Sequence, residues 1–227
     1  MKRKMKELLM FALKPYNKLR YGNKQKIFCI GKNKTGTTSM SAFLKTLGFK
    51  VAPQRPAELL IHDWGKRNFS NIINYVKVSG VAFQDIPFSL AETYQVMDSA
   101  FPNSKFILTV RDSPETWYHS LTSFHSKLFG NGHLPTKEDL QNVDYMYKGF
   151  AWELNRLIHS TPESDPYNKK MLIQEYIEYN DEVITYFQNM PKKLLVINLK
   201  EENAHQQIAD FLGHKGDVVN IPWVNKT

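Results

Sequence analysis

The stretch Ile27 to Met40, IFCIGKNKTGTTSM, constrains the fold more than any other segment of the chain. A short apolar run, Ile27 to Ile30, precedes a polar loop between Gly31 and Gly36, and residues that favour a helix follow. A strand, a glycine-bounded loop and a helix in this order are typical of phosphate-binding α/β proteins, because the amides at the helix N-terminus point at the anion. The segment therefore predicts a phosphate site at the end of a buried strand.

The position of lysine in this loop is unusual. Gly31 and Gly36 have the spacing of the ATP-binding pattern G-x-x-x-x-G-K-[ST], but Thr37 stands where that pattern has lysine. The lysines of the segment, Lys32 and Lys34, lie inside the loop instead. We expect amides and hydroxyls to hold the phosphate while Lys34 reaches a different atom. This arrangement suits a reaction in which the bound phosphate is the leaving group and a cation stabilises its developing charge.

Strands and helices alternate along the rest of the chain. VAFQ (81–84), KFILTV (105–110) and LLVINL (194–199) are predicted strands. Two long helices are also expected, one with apolar residues at three- and four-residue steps from Leu140 to Leu157 and one over about 171–190. The alternation predicts a three-layer α/β fold with a mainly parallel central sheet and helices on both faces.

Polar side chains follow three of the predicted strands. They lie in the loop 31–38, in QDIP (84–87) and in RDS (111–113). Helices should follow the last two, one from Ser89 and one capped by Ser113. Because ligands of such sheets bind at the carboxyl ends of the strands, we expect these three segments to form one crevice.

The basic charge of the protein is confined to its N-terminus. Residues 1–26 contain nine Lys or Arg and one Glu, which accounts for the whole formal charge of +8, and the remaining 21 basic and 21 acidic residues balance. We therefore expect no nucleic-acid partner. The sequence predicts two parts, a basic amphipathic segment over 1–25 and an α/β domain over 26–227.

Two interpretations of the N-terminal segment stay open. It is either a helix that packs on the domain and ends at Pro15, or a basic amphipathic segment, 1–20, that lies on an anionic membrane surface. Its apolar part is too short to span a bilayer. The single cysteine, Cys29, fits a reducing compartment. We expect a cytoplasmic protein, with peripheral membrane contact under the second interpretation.

Two segments resemble the signatures of one family. KNKTGTTS (32–39) is similar to the 5′-phosphosulfate loop of the sulfotransferases that use 3′-phosphoadenosine 5′-phosphosulfate (PAPS). ILTVRDSPETWYHS (107–120) resembles their second signature, a strand ending in arginine and a helix bearing a serine, which grip the 3′-phosphate of the donor. The resemblance extends in order over residues 26 to about 130. It implies a P-loop-like sulfotransferase fold, PAPS as donor, its product PAP, and no required metal.

The resemblance also implies roles for individual residues. Lys34 is the expected catalytic lysine on the oxygen between sulfur and phosphorus. Arg111 and Ser120 are expected at the 3′-phosphate, although their spacing of nine residues is one more than in the cytosolic members, so Ser113 is an alternative. The residues expected around the 5′-phosphate are Lys34, Thr35, Gly36, Thr37, Thr38 and Ser39.

The catalytic base is placed on Asp85. In the family this role falls to a histidine or a carboxylate near the end of the strand that precedes the arginine-bearing strand, and VAFQDIPF puts Asp85 there. Its neighbours Phe83, Ile86 and Phe88 would raise its pKa if they line the cleft. The alternatives are a helix-capping or ion-pairing role for Asp85, with His62 or Asp63 as the base.

The sequence thus predicts an enzyme that moves a sulfuryl group from PAPS to a hydroxyl or amine. Small molecules, glycans and lipids stay open as acceptors. One rival hypothesis is a small P-loop kinase that uses ATP and Mg²⁺, and the other is a nucleotide-binding module without catalysis. The position of Lys34 and the strand-end Arg111 favour the sulfotransferase over the kinase.

Overall fold

The structure is a computed structural model that describes residues 14–222 and 224 of the 227-residue chain. Within these residues the strands are β1 (Ile27–Cys29), β2 (Ala82–Gln84), β3 (Lys105–Val110) and β4 (Leu194–Asn198). The helices are α1 (Lys14–Tyr21), α2 (Thr37–Thr46), α3 (Gln54–Glu58), α4 (Ile61–Gly65), α5 (Phe69–Ser79), α6 (Thr93–Ala100), α7 (Pro114–Phe129), α8 (Lys137–Asn142), α9 (Phe150–Ile158), α10 (Lys169–Phe187) and α11 (Ala204–Leu212).

The four strands form one parallel sheet in the order β2-β1-β3-β4. Val51 extends the sheet beside β2 through a single parallel bridge to Ala82. Parallel strands need crossover connections, which the intervening helices supply. Because β1 lies between β2 and β3, the loop that follows it opens between the ends of its two neighbours.

Alternate residues of the central strands enter two different cores. Phe28 and Phe106 face one core, and their neighbours Cys29 and Ile107 face the other. Helices α5, α6 and α10 pack on the first face, and α2 and α11 pack on the second. A strand buried on both faces reads as a continuous apolar run, as KFILTV does. The predicted three-layer α/β fold with helices on both faces is confirmed.

The long helix predicted from Leu140 to Leu157 is wrong, because two shorter helices take its place. Helix α8 ends at Asn142, Val143 is extended with ψ 135°, and α9 begins after Gly149 at φ +90°. The capping box of Thr136 and Asp139 is present at the start of α8. The apolar spacing is therefore real, but a left-handed glycine interrupts the helical backbone between its two halves.

The helix predicted from Ser89 begins later, at Thr93. Turns occupy the preceding residues, and the N-cap Glu92 has φ +63°, which a continuing helix cannot include. The N-cap of α7 is as predicted, since Ser113 Oγ accepts a hydrogen bond from the N–H of Thr116.

The N-terminal segment is described only from Lys14 onward, and the rest of it lies outside the described residues. Helix α1 packs against α5. The ammonium of Lys26 fixes this contact, because it donates to the carbonyls of Tyr21 and Gly80. In the described part of the chain no helix has the length and apolar content to cross a membrane.

Candidate functional site

The three polar strand ends meet at one cavity of about 790 Å³. Its size suits a nucleotide-sized or drug-sized ligand. The loop after β1, the QDIP segment after β2 and the start of α7 supply much of the lining. These residues are Asn33, Lys34, Gly36, Thr37, Thr38, Ser39, Gln84, Asp85, Ile86, Arg111, Thr116, His119 and Ser120. The sequence-based prediction of a shared crevice is confirmed.

The N-terminus of α2 is built to face a ligand. Its N-cap is Gly36 with φ +103°, and no side chain caps the helix. The first amides of a helix have no carbonyl partner within the helix, so they must bond elsewhere. Thr37, Thr38 and Ser39, which carry these amides, all line the cavity. This geometry provides several aligned N–H donors for an anion.

Gly31 lets the loop pass close to β3. A Cβ atom at this position would lie 2.1 Å from Thr109 Oγ1 and 2.4 Å from the Thr109 carbonyl oxygen. Thr35 shares a hydrogen bond of 2.6 Å with the same Thr109 hydroxyl and donates another to the carbonyl of Lys32. The Thr35 hydroxyl, expected at the 5′-phosphate, is therefore directed into the protein, where it shapes the loop.

Side chains of α7 and α10 donate hydrogen bonds to two backbone carbonyls, one just before the loop and one within it. Tyr179 Oη donates to the Ile30 carbonyl at 2.7 Å, and Trp117 Nε1 donates to the Asn33 carbonyl at 2.9 Å. Because these two carbonyl oxygens accept hydrogen bonds from α7 and α10, they do not place their negative partial charge beside a bound anion. The ring of Trp117 is buried in an apolar core. Its indole N–H is the signal that it also needs a polar partner.

A partly buried ion-pair network contacts the same loop. Lys32 Nζ lies 2.6 Å from Glu175 Oε1, and His159 Nδ1 lies 2.7 Å from Glu175 Oε2. Burial would raise the pKa of Glu175, but the hydrogen bond and charge of His159, together with Lys32, outweigh it and lower that pKa to about 2. Lys32 is therefore tied to α10, whereas Lys34 is not.

Lys34 faces the cavity from a left-handed backbone conformation, φ +67°. Its ammonium lies 3.7 Å from the centre of the Phe124 ring, a cation–π distance. Burial and the charge of Arg111 lower the pKa of Lys34 to about 8, although the nearby charge of Asp85 opposes this shift. A strained backbone that aims a half-buried ammonium into a cavity is typical of a functional residue.

Arg111 connects the loop to α7. Its Nε donates to the Lys34 carbonyl at 2.7 Å, and Nη2 lies 3.4 Å from Ser120 Oγ. A guanidinium carries five N–H donors, so these two contacts leave donors for a phosphate. Ser113, the sequence-based alternative to Ser120, caps α7 instead. The structure thus brings Arg111 and Ser120 together in the cavity.

Asp85 lies at the cavity with φ +60°. Its carboxylate accepts hydrogen bonds from the Ile86 N–H at 2.9 Å and the Thr37 hydroxyl at 3.1 Å. Burial raises the pKa of Asp85, and the two hydrogen bonds and the charge of Lys34 oppose that shift. The carboxylate does not cap α6, which begins eight residues later.

The other candidate bases lie away from the cavity. His62 Nε2 is 2.9 Å from Tyr147 Oη, and Asp63 Oδ1 accepts from Asn71. Neither belongs to the described lining. His125 does line the cavity, with Nδ1 2.8 Å from Tyr167 Oη. Burial and the charges of His159 and Lys34 lower its pKa to about 3, so it is neutral at pH 7.

Glu58, at the end of α3, is a cavity residue that the sequence did not indicate. Tyr145 Oη lies 3.3 Å from its Oε2 atom. Burial and the nearby charge of Asp85 raise the pKa of Glu58 to about 7. An isolated Glu in a short helix carries no motif, so only the packing of α3 against the QDIP segment reveals it. Two carboxylates with raised pKa values therefore share this part of the cavity.

Across residues 14–222 and 224, no group of three or more His, Cys, Asp or Glu side chains is placed to hold a metal ion. Comparison with curated proteins gives no match. The family model of the sulfotransferase domain matches residues 26–227, which include the phosphate loop, Asp85, Arg111 and the C-terminal helices. The chain therefore belongs to the sulfotransferase domain family, whose reaction is the transfer of a sulfuryl group.

Proposed function

We propose that the protein transfers a sulfuryl group from PAPS to a hydroxyl or amine of an acceptor by in-line displacement. One observation supports this proposal most directly. The uncapped N-terminus of α2, Lys34 and the Arg111–Ser120 pair all face the same cavity. An anion-binding helix end and a separate guanidinium match a donor with phosphates at both the 5′ and 3′ positions.

The donor would be held by residues of two segments. The amides and hydroxyls of Thr37, Thr38 and Ser39, with Gly36, would bind the 5′-phosphate, and Thr35 would shape the loop from within. Arg111 and Ser120 would bind the 3′-phosphate, since a guanidinium fork matches phosphate geometry. PAPS supplies an activated sulfuryl group joined to that 5′-phosphate.

Lys34 and Asp85 would be the two catalytic side chains, one acting on the leaving phosphate and the other on the proton of the acceptor. The bond between sulfur and the bridging phosphate oxygen breaks, and a bond between sulfur and the acceptor atom forms. Lys34 would stabilise the electron pair left on the phosphate oxygen. Asp85 would take the proton of the acceptor, which its raised pKa favours. Because Thr37 donates to Asp85, the base is held beside the phosphate loop.

The test is a thermal-shift series with PAP, ATP, and ATP with Mg²⁺. We expect PAP alone to raise the melting temperature, since a ligand at 100 times its Kd adds about 2.7 kcal/mol of stability. Arg111→Ala should abolish this rise. Arg67→Ala is the matched control, because Arg67 is half-exposed, pairs with Glu92 and does not line the cavity.

A different result would favour one of the rivals. A kinase should bind ATP with Mg²⁺ at least as well as PAP. A non-catalytic module should bind PAP but release no PAP from PAPS with any acceptor. Lys34→Ala should then leave donor binding unchanged, and no turnover would be measured for either protein.

We propose a cytoplasmic location with peripheral contact to anionic membranes through residues 1–20. The concentration of positive charge in this segment supports the proposal, because polybasic segments bind anionic headgroups. Residues 27–227 have balanced charge and would contribute little to that contact.

A further inference from the structure

We infer that the acceptor is a compact, uncharged alcohol with an apolar body, and that it binds between α7, α8 and α9. This inference rests on the proposed function, since it assigns the acceptor half of the same cavity. The sequence left small-molecule, glycan and lipid acceptors open, and this inference selects an apolar small-molecule alcohol.

Helix α7 shows where the two halves of the cavity divide. Its cavity-lining residues are polar at Thr116, His119 and Ser120. Beyond them Phe124, Leu128 and Phe129 are apolar, with the polar His125 between them. The helix rises about 1.5 Å per residue, so Leu128 lies about 12 Å beyond Ser120 along the helix. Ser120 contacts Arg111 and thus marks the donor end.

Phe124, which carries the Lys34 ammonium on its ring, marks the boundary. Because Lys34 would act at the bond between sulfur and the phosphate oxygen, the sulfuryl group should lie at this boundary. The acceptor should lie on the apolar side of the boundary. From Phe124 to Phe129 the helix spans about 7.5 Å, a length that matches a compact apolar body.

Helix α9 closes the apolar half from the opposite side. Ala151, Leu154 and Ile158 follow one another at three- and four-residue steps, so they share a face, and all three line the cavity. Leu140 of α8 adds to the same wall. Burying an apolar body against such a wall is favourable by about 25 cal/mol per Å².

The charges of the cavity argue against an anionic acceptor. The Lys and Arg side chains of its described lining are Lys34 and Arg111 in the donor segments and Lys200 after β4, which pairs with Asp112. In the acceptor half the ionisable groups are carboxylates and histidines, and His125 is neutral at pH 7. A uronic acid or a sulfated sugar would meet Glu58 and Asp85 without a compensating cation.

Three polar side chains of the acceptor half are already bonded to the protein. His125 pairs with Tyr167, and His159 pairs with Glu175. Asn155 Nδ2 donates to the Pro166 carbonyl, and its Oδ1 accepts from Arg156. A sugar has a hydroxyl on nearly every carbon and would lose hydrogen bonds to water without replacements here. An alcohol needs only one polar contact, and Asp85 supplies it.

The test measures transfer of radiolabelled sulfuryl groups from PAPS to four probes. Two are apolar alcohols, 2-naphthol and cyclohexylmethanol, and two are sugars, methyl β-glucoside and methyl β-glucuronide. We expect kcat/KM for at least one apolar alcohol to exceed that of both sugars by about tenfold or more. Binding of the apolar alcohols in the presence of PAP is measured separately by calorimetry.

Two leucines of similar exposure provide a matched pair of variants. Leu128 is 39 % exposed and lines the cavity, whereas Leu134 is 43 % exposed and does not. Leu128→Lys should raise KM for the apolar alcohol about tenfold, because it removes an apolar contact and places a charge beside the ligand. Leu134→Lys should leave KM unchanged. Both should keep the thermal shift with PAP.

The outcomes separate the inference from the proposed function. If PAP binds in an Arg111-dependent way but the sugars are the better acceptors, the inference is wrong and the donor assignment stands. The inference is also wrong if neither apolar alcohol binds or reacts, or if Leu128→Lys leaves KM unchanged. If PAP does not bind while the apolar alcohols do, the donor assignment is wrong and the apolar site stands.

Discussion

Asp85 is held in a state that costs stability. Asp85 is half-buried and its backbone has φ +60°, a region that asparagine and glycine occupy more readily than most residues. Its folded-state pKa is raised above the unfolded value, so the folded protein binds more protons than the unfolded one between the two values. Stability therefore falls as the pH rises through this window, and the loss is complete at higher pH. A raised pKa also makes a better base.

Asp85→Asn should raise stability and lower activity. Asparagine tolerates the left-handed backbone and can still accept from the Ile86 N–H, but it carries no charge. We expect the melting temperature at pH 7 to rise by about 2–4 °C, equivalent to about 1 kcal/mol for a chain of this size. Turnover should fall about 10²-fold or more, with PAP binding unchanged.

The control for this variant is Asp63→Asn, which alters an exposed carboxylate outside the cavity. It should change neither quantity. A fall in turnover with Asp63→Asn, or normal turnover with Asp85→Asn, would place the base elsewhere. Glu58→Gln then decides whether the second carboxylate of the cavity takes the proton.

Lys34 should set the alkaline limb of the pH profile. Under the proposed mechanism only the charged ammonium would stabilise the leaving phosphate, and the pKa of Lys34 in the free protein is lowered to about 8. The kcat/KM for the donor should therefore fall above about pH 8, since this parameter reports the free enzyme. The acid limb should rise with pH as Asp85 ionises. Lys34→Arg should remove the alkaline limb, because arginine stays charged, and a limb that persists would assign it to another group.

At the scale of elements, Glu175 of α10 is bound to Lys32 in the loop after β1. We expect Glu175→Gln to lower stability by about 1–3 kcal/mol, because the Lys32 ammonium would lose its charged partner while largely buried. PAP affinity should fall about tenfold as the loop loosens. Glu178→Gln, one turn away on the exposed side of α10, is the control and should change neither. Equal effects of the two variants would show that the network does not support the loop.

The sequence predicts elements better than their interruptions. KFILTV matches β3 residue for residue because a strand buried on both faces is a continuous apolar run. The predicted long helix failed because its apolar spacing continues across Val143 to Gly149, where the backbone leaves the helix. Periodicity records which side chains face the core and does not record the left-handed glycine between them.

The same distinction holds for the candidate site. Lys34, Asp85, Arg111 and Ser120 are predictable because each lies at or just after a strand end or in a signature, and the structure brings all four to the cavity. Glu58, Trp117 and Glu175 are not, because their contacts depend on how α3, α7 and α10 pack against the loop. Long-range packing partners carry no local sequence signal.

At the scale of the whole molecule, charge and chemistry occupy different parts of the chain. Residues 1–13 contain four Lys or Arg and one Glu, and residues 14–20 contain three more basic residues. The cavity and its loop begin beyond them. Helix α1 packs against α5, so its removal tests packing, whereas removal of 1–13 takes away no residue of the described helices.

Two truncations should therefore separate membrane binding from folding. Each basic residue near an anionic surface contributes about 1 kcal/mol, so deleting 1–13 should weaken binding to phosphatidylserine vesicles about tenfold or more. For the full-length protein and for the 1–13 deletion, binding to these vesicles should weaken as the salt concentration rises. Neither protein should bind vesicles of pure phosphatidylcholine. The PAP thermal shift should persist after deletion of 1–13 and of 1–20. If the deletion of 1–20 prevents folding, the main role of α1 is its packing on α5. Unchanged vesicle binding after the deletion of 1–13 would exclude these residues as the membrane contact.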